Sequence, residues 1–413
     1  MFGVLLRQVV ARGTLVVVNH AGQKRTFGDG TGDPVVIRLM DAGVALGLTL
    51  NPYLKLGEAY MDGRLVIDAP HNIYDFLVLV LSNLGRDYPN RFMLFMASLR
   101  RLKRRLDQHN PVGKAKQNVA HHYDLDGGIY DLFLDADRQY SCAYYERPDM
   151  TLEEAQLAKK RHICAKLNLQ PGQKVLDIGC GWGGLALYLA EEFDVEVVGV
   201  TLSEEQHRLA TRRAAERGLS NRVTILLQDY RTLTQRFDRI VSVGMFEHVG
   251  VGHFPEYFSR VRDLLTEDGV ALIHTIGRLD PPGSTNPWIA KYIFPGGYIP
   301  ALSEVASVVE KSGLILTDLE VLRLHYAETL KEWRRRFMAR RDIAAKIYDE
   351  RFCRMWEFYL AGSESSFRFE GMVNFQFQIT KTIDALPITR DYMFEREKAL
   401  RAVEIPGKLA TAD

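Results

Sequence analysis

Cysteine is scarce, with four residues in 413: Cys142, Cys164, Cys180 and Cys353. They form no C-x-x-C pair and no even ladder, which excludes the disulfide framework of a small secreted domain and points to a reducing, cytoplasmic compartment. A surplus of charge of one sign is also missing. Lys plus Arg total 53 against 52 for Asp plus Glu, a balance of +1. No global field draws such a chain to nucleic acid, and attraction to an anionic surface has to come from local clusters. Nor is there a long apolar run. The longest, Ile73 to Leu84, is interrupted by Tyr74, Asp75, Ser82 and Asn83, whereas a spanning helix needs about 20 apolar residues. Met1 to Arg12 lacks a sustained apolar stretch followed by a small-residue cleavage site, so no secretory signal is expected. Internal repeats and low-complexity tracts are absent as well.

What is present is globular. The chain is 46% hydrophobic, 25% charged and 10% aromatic, enough for a full core, and its length exceeds the roughly 250 to 300 residues that one core serves. Two domains are therefore expected. Residues 1–106 alternate β-like runs (Gly13 to Val18, Pro34 to Arg38) with helical patterns (Leu54 to Met61, Ile73 to Leu84), which reads as a small α+β domain. Its last segment, Arg91 to Leu106, is a basic amphipathic helix that could dock on anionic lipid head groups or simply present a solvated face. The Arg334-Arg-Arg336 and Arg340-Arg341 groups carry the same two readings. Residues 107–116 have linker composition.

Residues 117–398 form the second expected domain, with 399–413 as a tail. Here Lys174 to Ile178, Val195 to Val200, Val223 to Leu227, Arg239 to Gly244 and Val270 to Thr275 are apolar, β-branched runs separated by helical stretches, the alternation of a parallel sheet covered on both faces. Thr151-Leu-Glu-Glu154 is a capping box opening a helix read as structural, with Leu157, Ile163 and Leu167 inward. Leu330 to Leu360 is aromatic and basic at helical spacing, and Asn374 to Thr380 reads as a late antiparallel strand.

Val175-Leu-Asp177-Ile-Gly-Cys-Gly-Trp-Gly-Gly184 is a buried strand entering a glycine-dense turn and then a helix, a backbone built for close approach by a ligand. Gly179, Gly181 and Gly184 also satisfy G-x-G-x-x-G, so the motif alone is ambiguous between a dinucleotide and another adenosyl ligand. A dinucleotide site carries Asp or Glu at the end of the second strand, but that strand ends Gly199-Val-Thr201-Leu202-Ser203, with Gln206 the nearest polar candidate. The third strand ends Leu227-Gln-Asp229-Tyr230, a carboxylate to accept from an adenine amine and a ring to stack. The pattern favours S-adenosylmethionine over nicotinamide.

Together with that strand motif, Tyr140-Ser-Cys-Ala-Tyr-Tyr145, Met245-Phe-Glu-His248, Leu272-Ile-His-Thr-Ile276 and His325-Tyr-Ala-Glu-Thr-Leu330 resemble the cyclopropane fatty acid synthase family, which includes the mycolic acid cyclopropane synthases. The likeness spans about residues 117–385. It implies an α/β fold of the class I Rossmann-like methyltransferase type, with a mostly parallel seven-stranded sheet. It implies that Tyr140, Ser141, Asp177, Gly179, Gly181, Gly183, Thr201, Leu202, Gln206, Asp229 and Tyr230 hold S-adenosylmethionine. Glu247, His274 and Tyr326, with backbone groups of Cys142 and Ile276, would cradle bicarbonate. One departure is Ala361-Gly-Ser363, where relatives often place a cysteine.

The chemistry implied is addition of a one-carbon bridge to a cis double bond in a phospholipid acyl chain. An alkene is a feeble nucleophile and must be held against the sulfonium methyl with water excluded. The resulting carbocation needs aromatic faces that do not attack it, with Tyr140, Tyr144, Tyr145, Phe246, Tyr326 and rings from the 288–377 region as candidates. A base, bicarbonate, then removes a proton so that the ring closes. Each residue has a blander reading, since a lone strand histidine such as His274 is usually a satisfied core residue. His121 and His122 lack a completing ligand cluster, so no metal is expected. A methyl-branched or methylene product from the same cation, a lipid carrier with an inactive methyltransferase half, and a nicotinamide oxidoreductase are the competing readings. The expected partner is a phospholipid membrane surface approached from the cytoplasm, with no nucleic acid; a homodimer is compatible with the sequence, which does not decide the oligomeric state.

Overall fold

A computed structural model describes residues 2–84 and 128–403. The basic segment Arg91 to Leu106, the 107–116 linker and His121 and His122 lie outside the described residues. Two compact units emerge, and they are not consecutive stretches of chain: Met1–Arg104, Gly283–Pro295 and Ala327–Met372 form one, and Arg105–Pro282, Gly296–Tyr326 and Val373–Asp413 the other. This differs from division at a single linker, because two insertions into the second half cluster with the N-terminal segment.

In the first unit, β1 (Thr14–Val18), β2 (Lys24–Gly28), β3 (Val35–Leu39) and β4 (Leu65–Ile67) form a sheet in the order β2-β1-β3-β4. Alternation buries Leu15 and Val17 on β1 and Val35, Ile37 and Leu39 on β3, so one face is apolar. Helices α1 (Phe2–Val9), α2 (Ala42–Leu50), α3 (Pro52–Met61) and α4 (Ile73–Leu84) supply Leu6, Val44, Leu48, Tyr60, Phe76 and Leu77 to the same core. The inserted segments add α10 (Pro287–Tyr292), most of α12 (His325–Ala339), α13 (Arg341–Ile347) and α14 (Glu350–Phe369). Trp288 of α10 is 1% exposed and sits where a Cβ on Gly57 would meet its Nε1 at 2.4 Å. Arg334 bonds the buried Glu364 and lies 3.9 Å from the Tyr74 ring centre, Arg335 bonds Glu332 and Arg341 bonds Glu350. Arg334 is thus held by a buried partner, whereas Arg335, with its side chain 63% exposed, makes a surface pair that contributes little and leaves both readings of the cluster open.

The second unit holds the seven-stranded, mostly parallel sheet expected: β5 (Lys174–Ile178), β6 (Glu196–Thr201), β7 (Val223–Leu227), β8 (Phe237–Val243), β9 (Leu265–Arg278), β10 (Ile315–Leu322) and β11 (Met372–Thr380), in the order β10-β11-β9-β8-β5-β6-β7. β5, β6, β7, β8 and β9 pair in parallel, and β10 with β11 antiparallel. β11 does not alternate as a one-sided strand would. Residues 373–380 are all buried, because β11 is interior, with polar Asn374, Gln376 and Gln378 on one face and Phe375, Phe377 and Ile379 on the other. The sheet is flanked by α5 (Gly128–Asp131), α6 (Leu152–Leu167), α7 (Gly184–Glu192), α8 (Glu204–Glu216), α9 (Phe254–Leu264), α11 (Leu302–Ser312) and α15 (Asp391–Val403). The chain runs outward from β5 through β6 to β7, then returns to β8 on the other side of β5. Strand order reverses there, and in open parallel sheets ligands bind at the carboxyl ends beside such a reversal.

Candidate active site

Every residue expected to hold S-adenosylmethionine from the sheet lies at a carboxyl end of β5, β6 or β7. β5 runs into Gly179, Gly181 and Gly183, all with positive φ. At Gly181, φ is +55° and a Cβ would meet nothing within 4 Å, so the turn is open there. Gly184, opening α7, is different: a Cβ would stand 2.2 Å from Gln139 Nε2 and 2.5 Å from Asp137 Oδ2. Asp177 is 2% exposed, and its Oδ2 has no hydrogen-bond partner among the described residues. Burial pushes its carboxyl up to about 7, with Lys159 pulling the other way. After β6, Thr201 donates to Gln206 Oε1 at 2.8 Å, Ser203 caps α8, and Leu202 is half-buried between them. After β7, Asp229 accepts from Arg231 on both oxygens, at 2.9 and 2.7 Å, leaving further lone pairs for another donor. The Tyr230 ring packs edge-on against Tyr257 at 5.6 Å.

The Tyr140–Cys142 segment is brought to this edge by aromatic packing. Tyr140 lies 5.4 Å from Tyr130 of α5, which in turn lies 4.9 Å from Trp182 of the glycine turn. From the other side, Lys159 of α6 donates to Ser141 Oγ at 2.9 Å and Gln156 donates to the Ser141 carbonyl at 3.0 Å. Neither Lys159 nor Gln156 was singled out from the sequence. The signal available was a helix with basic and amide side chains among its apolar ones on all sides, which reads equally as a solvated face.

Of the residues expected to hold an anion, the structure joins Glu247 and Ile276 directly. The Ile276 N–H donates to Glu247 Oε1 at 2.6 Å, and Glu247 Oε2 has no hydrogen-bond partner among the described residues. Glu247 is in the short helical turn after β8 and is 8% exposed. Burial pushes its carboxyl up to about 7 against the lowering bond from Ile276, so near neutrality it is partly protonated and able to donate as well as accept. His274, two residues before Ile276 on β9, is fully buried and held down to about 3 by burial. Its ring nitrogens meet Asn374 at 2.8 Å and Gln376 at 3.1 Å. A neutral imidazole has one N–H, so one of these amides must present its oxygen to the ring. Tyr326, 7% exposed, opens α12 beside His325, whose Nδ1 accepts from the Tyr145 N–H at 3.0 Å, tying that turn to the segment containing Cys142.

Two of the proposed cation-facing rings are occupied in packing. Phe246 is 0% exposed and stacks 4.4 Å from Phe254, with Tyr257 at 4.9 Å. Tyr144 is sandwiched between His162 at 4.2 Å and His325 at 4.9 Å, with near-parallel planes.

The family model for mycolic acid cyclopropane synthetase matches residues 111–377. The cyclopropane-fatty-acyl-phospholipid synthase of Escherichia coli strain K12 is 44% identical over 315 residues, covering 76% of this chain and 80% of that protein. A probable fatty acid methyltransferase of Pseudomonas putida is 43% identical over 265 residues, covering 62% and 66%. The crystal structure of mycolic acid cyclopropane synthase CmaA1 complexed with SAH and CTAB superposes with a TM-score of 0.61 at 36% identity, covering 66% of this chain and 99% of that one.

Proposed function

The chain belongs to the mycolic acid cyclopropane synthetase family, and from that premise we propose that it converts cis double bonds in phospholipid acyl chains to cyclopropane rings using S-adenosylmethionine. The observation that carries this reading is a pairing at one sheet edge. A ligand-accessible glycine turn follows β5, and a buried carboxyl with one unsatisfied oxygen, Glu247, follows the adjacent β8. A buried polar atom without a partner costs about 1 to 3 kcal/mol, which the fold carries where a ligand would relieve it.

The residues present fit the adenosyl group: the open face at Gly181, the acceptors of Asp229 and the unsatisfied Asp177 Oδ2. We assign its binding to Tyr140, Ser141, Asp177, Gly179, Gly181, Gly183, Thr201, Leu202, Gln206, Asp229 and Tyr230. Bound there, S-adenosylmethionine supplies an electrophilic methyl to the alkene, and bicarbonate beside it supplies a base. Glu247, poised near neutrality by burial, donates a hydrogen bond to that anion when protonated, and backbone groups of Cys142 and Ile276 with the Tyr326 hydroxyl complete the cradle, the Ile276 N–H only on exchanging its bond to Glu247 Oε1. For His274 to reach it, one of the bonds to Asn374 or Gln376 must be exchanged. The unsaturated chains come from a phospholipid membrane surface, which the protein approaches peripherally from the cytoplasm. Among the described residues no helix is long and apolar enough to cross a membrane.

A methyl-branched product from the same carbocation is the second reading, favoured by the likeness to a fatty acid methyltransferase. Purified protein supplied with methyl-labelled S-adenosylmethionine, bicarbonate and vesicles of cis-unsaturated phospholipid decides between them by mass spectrometry. Label in a ring with loss of the alkene is expected. Label only in a branch transfers the assignment to the second reading, and no label in lipid refutes both.

A further inference from the structure

Helix α6 is buried on every side although half of its residues are polar. Gln156, Lys159, Lys160, Arg161, His162 and Lys166 are each 5% exposed or less, and charged side chains are rarely that buried without specific partners. The partners form a series along the segment that precedes the helix. Lys160 pairs with Asp137 at 2.8 Å, Arg161 with Glu146 at 3.2 Å, and His162 stacks on Tyr144. The densest bonding is at the centre. Lys159 Nζ donates to Gln139 Oε1 at 2.6 Å and Ser141 Oγ at 2.9 Å, and Gln156 Nε2 donates to the carbonyls of Gln139 at 3.2 Å and Ser141 at 3.0 Å. Four hydrogen bonds from two side chains one helical turn apart therefore hold residues 139 to 141, and Cys142 follows directly.

We infer that Lys159 is a positioning residue for cofactor binding, its buried ammonium holding the Gln139 and Ser141 side chains while Gln156 holds their carbonyls, so that Tyr140 and Ser141 face the adenosyl site. The inference rests on the S-adenosylmethionine reading above and deepens it. Lys159 also stands where its charge acts on both halves of the site, making the Asp177 carboxyl at the end of β5 more acidic and disfavouring protonation of His274 on β9. The charged and titratable groups facing it are Asp135, Asp137 and Cys142 from the preceding segment, Lys160 from its own helix, Asp177 and His274. Burial holds its ammonium down to about 8, with the Asp135 charge opposing. The charge is therefore lost in a range where the protein can be assayed, and the grip on Ser141 and Gln139 weakens with it.

The test is calorimetric titration of the full chain with S-adenosylhomocysteine from pH 7 to 9.5, comparing wild type with Lys159→Met, and melting temperature measured in parallel. The variant loses both bonds from a charged donor, so it is expected to bind at least about tenfold more weakly at pH 7. The ratio of the two affinities, in which titration of the ligand itself cancels, should shrink above pH 8 toward about threefold or less. In kinetics the KM for S-adenosylmethionine should rise more than kcat falls. A variant that melts lower but binds with wild-type affinity, or an affinity ratio independent of pH, overturns the inference and leaves Lys159 a purely structural residue. If Lys159→Met does not fold, Lys159→Gln, which keeps a neutral hydrogen-bond donor, replaces it, and a pH-independent ratio there is equally decisive. Wild type that fails to bind S-adenosylhomocysteine at all refutes the cofactor reading, and this inference with it.

Discussion

Replacing Glu247 by Gln separates what this carboxyl does for folding from what it does for catalysis. The side chains have the same shape, and a Gln Oε1 can still accept from the Ile276 N–H, so the 2.6 Å bond has a replacement. The variant lacks only the ability to ionise. Burial raises Glu247 from its ordinary 4.5 to about 7, so the folded protein binds this proton more tightly than the unfolded chain does. Stability therefore falls as pH rises from 4.5 and levels off above 7. At about 1.4 kcal/mol per pH unit over that interval, the total is about 3 kcal/mol, of which about 1 kcal/mol is already present at pH 5. Melting curves of both proteins from pH 5 to 8 test this directly: the variant should gain on the wild type by a further ~2 kcal/mol across the range. In the same preparations, affinity for S-adenosylhomocysteine should change by less than about twofold while turnover drops by at least about tenfold, the scale expected when the Glu247 proton must move to or from the bound anion during turnover, which an amide cannot do. A stability difference flat from pH 5 to 8 would refute the reasoning about burial. Parallel loss of binding and turnover would refute the assigned role.

Further outcomes follow from other contacts. Gly184→Ala places a Cβ 2.2 Å from Gln139 Nε2 and 2.5 Å from Asp137 Oδ2, so it should lower the melting temperature and weaken S-adenosylhomocysteine binding by about tenfold or more; calorimetry showing unchanged affinity contradicts this. Phe246→Ala empties a fully buried position among Phe254, Tyr257 and Phe258 and should cost about 3 to 5 kcal/mol. Were turnover lost with the melting temperature unchanged, Phe246 would be a substrate-facing ring after all. For His162, burial opposes the charged form, but the bonds to Glu320 and Glu397 prevail and raise it above 6.5. The stability it adds is complete below pH 6.5 and fades as pH climbs through the higher folded value. His162→Gln should therefore cost most near pH 6 and progressively less above, and a pH-independent cost in melting curves is incompatible with that pairing.

Much of the catalytic half was legible from local pattern. Lys174–Ile178 and Val223–Leu227 end where their apolar runs end, and the capping box at Thr151 and Glu154 closes as read, at 3.2 and 2.7 Å. β10 and α2 were not anticipated. β10 has a mixed burial pattern because only part of an edge strand is covered, and α2 is apolar on nearly every side, so it has no helical stripe to read. Within the candidate site, Glu247 was named through the family resemblance, and its contact with Ile276, 29 residues later, is a product of β8 pairing with β9. That Tyr144 and Phe246 are packed against other rings was not legible, because an aromatic in a motif shows its type but not its neighbours.

The order of residues along the chain was sufficient to determine where glycines must sit, which strands alternate with helices and which groups can ionise, since these depend on backbone sterics and on periods of two and 3.6 residues. Only the tertiary structure decided which of those groups are out of water and what faces them. The same lysine is a solvated charge on an isolated helix and, once α6 is enclosed, an ammonium held near 8 against Ser141. That difference arises from desolvation and from partners distant in sequence, and neither is a property of any local stretch of chain.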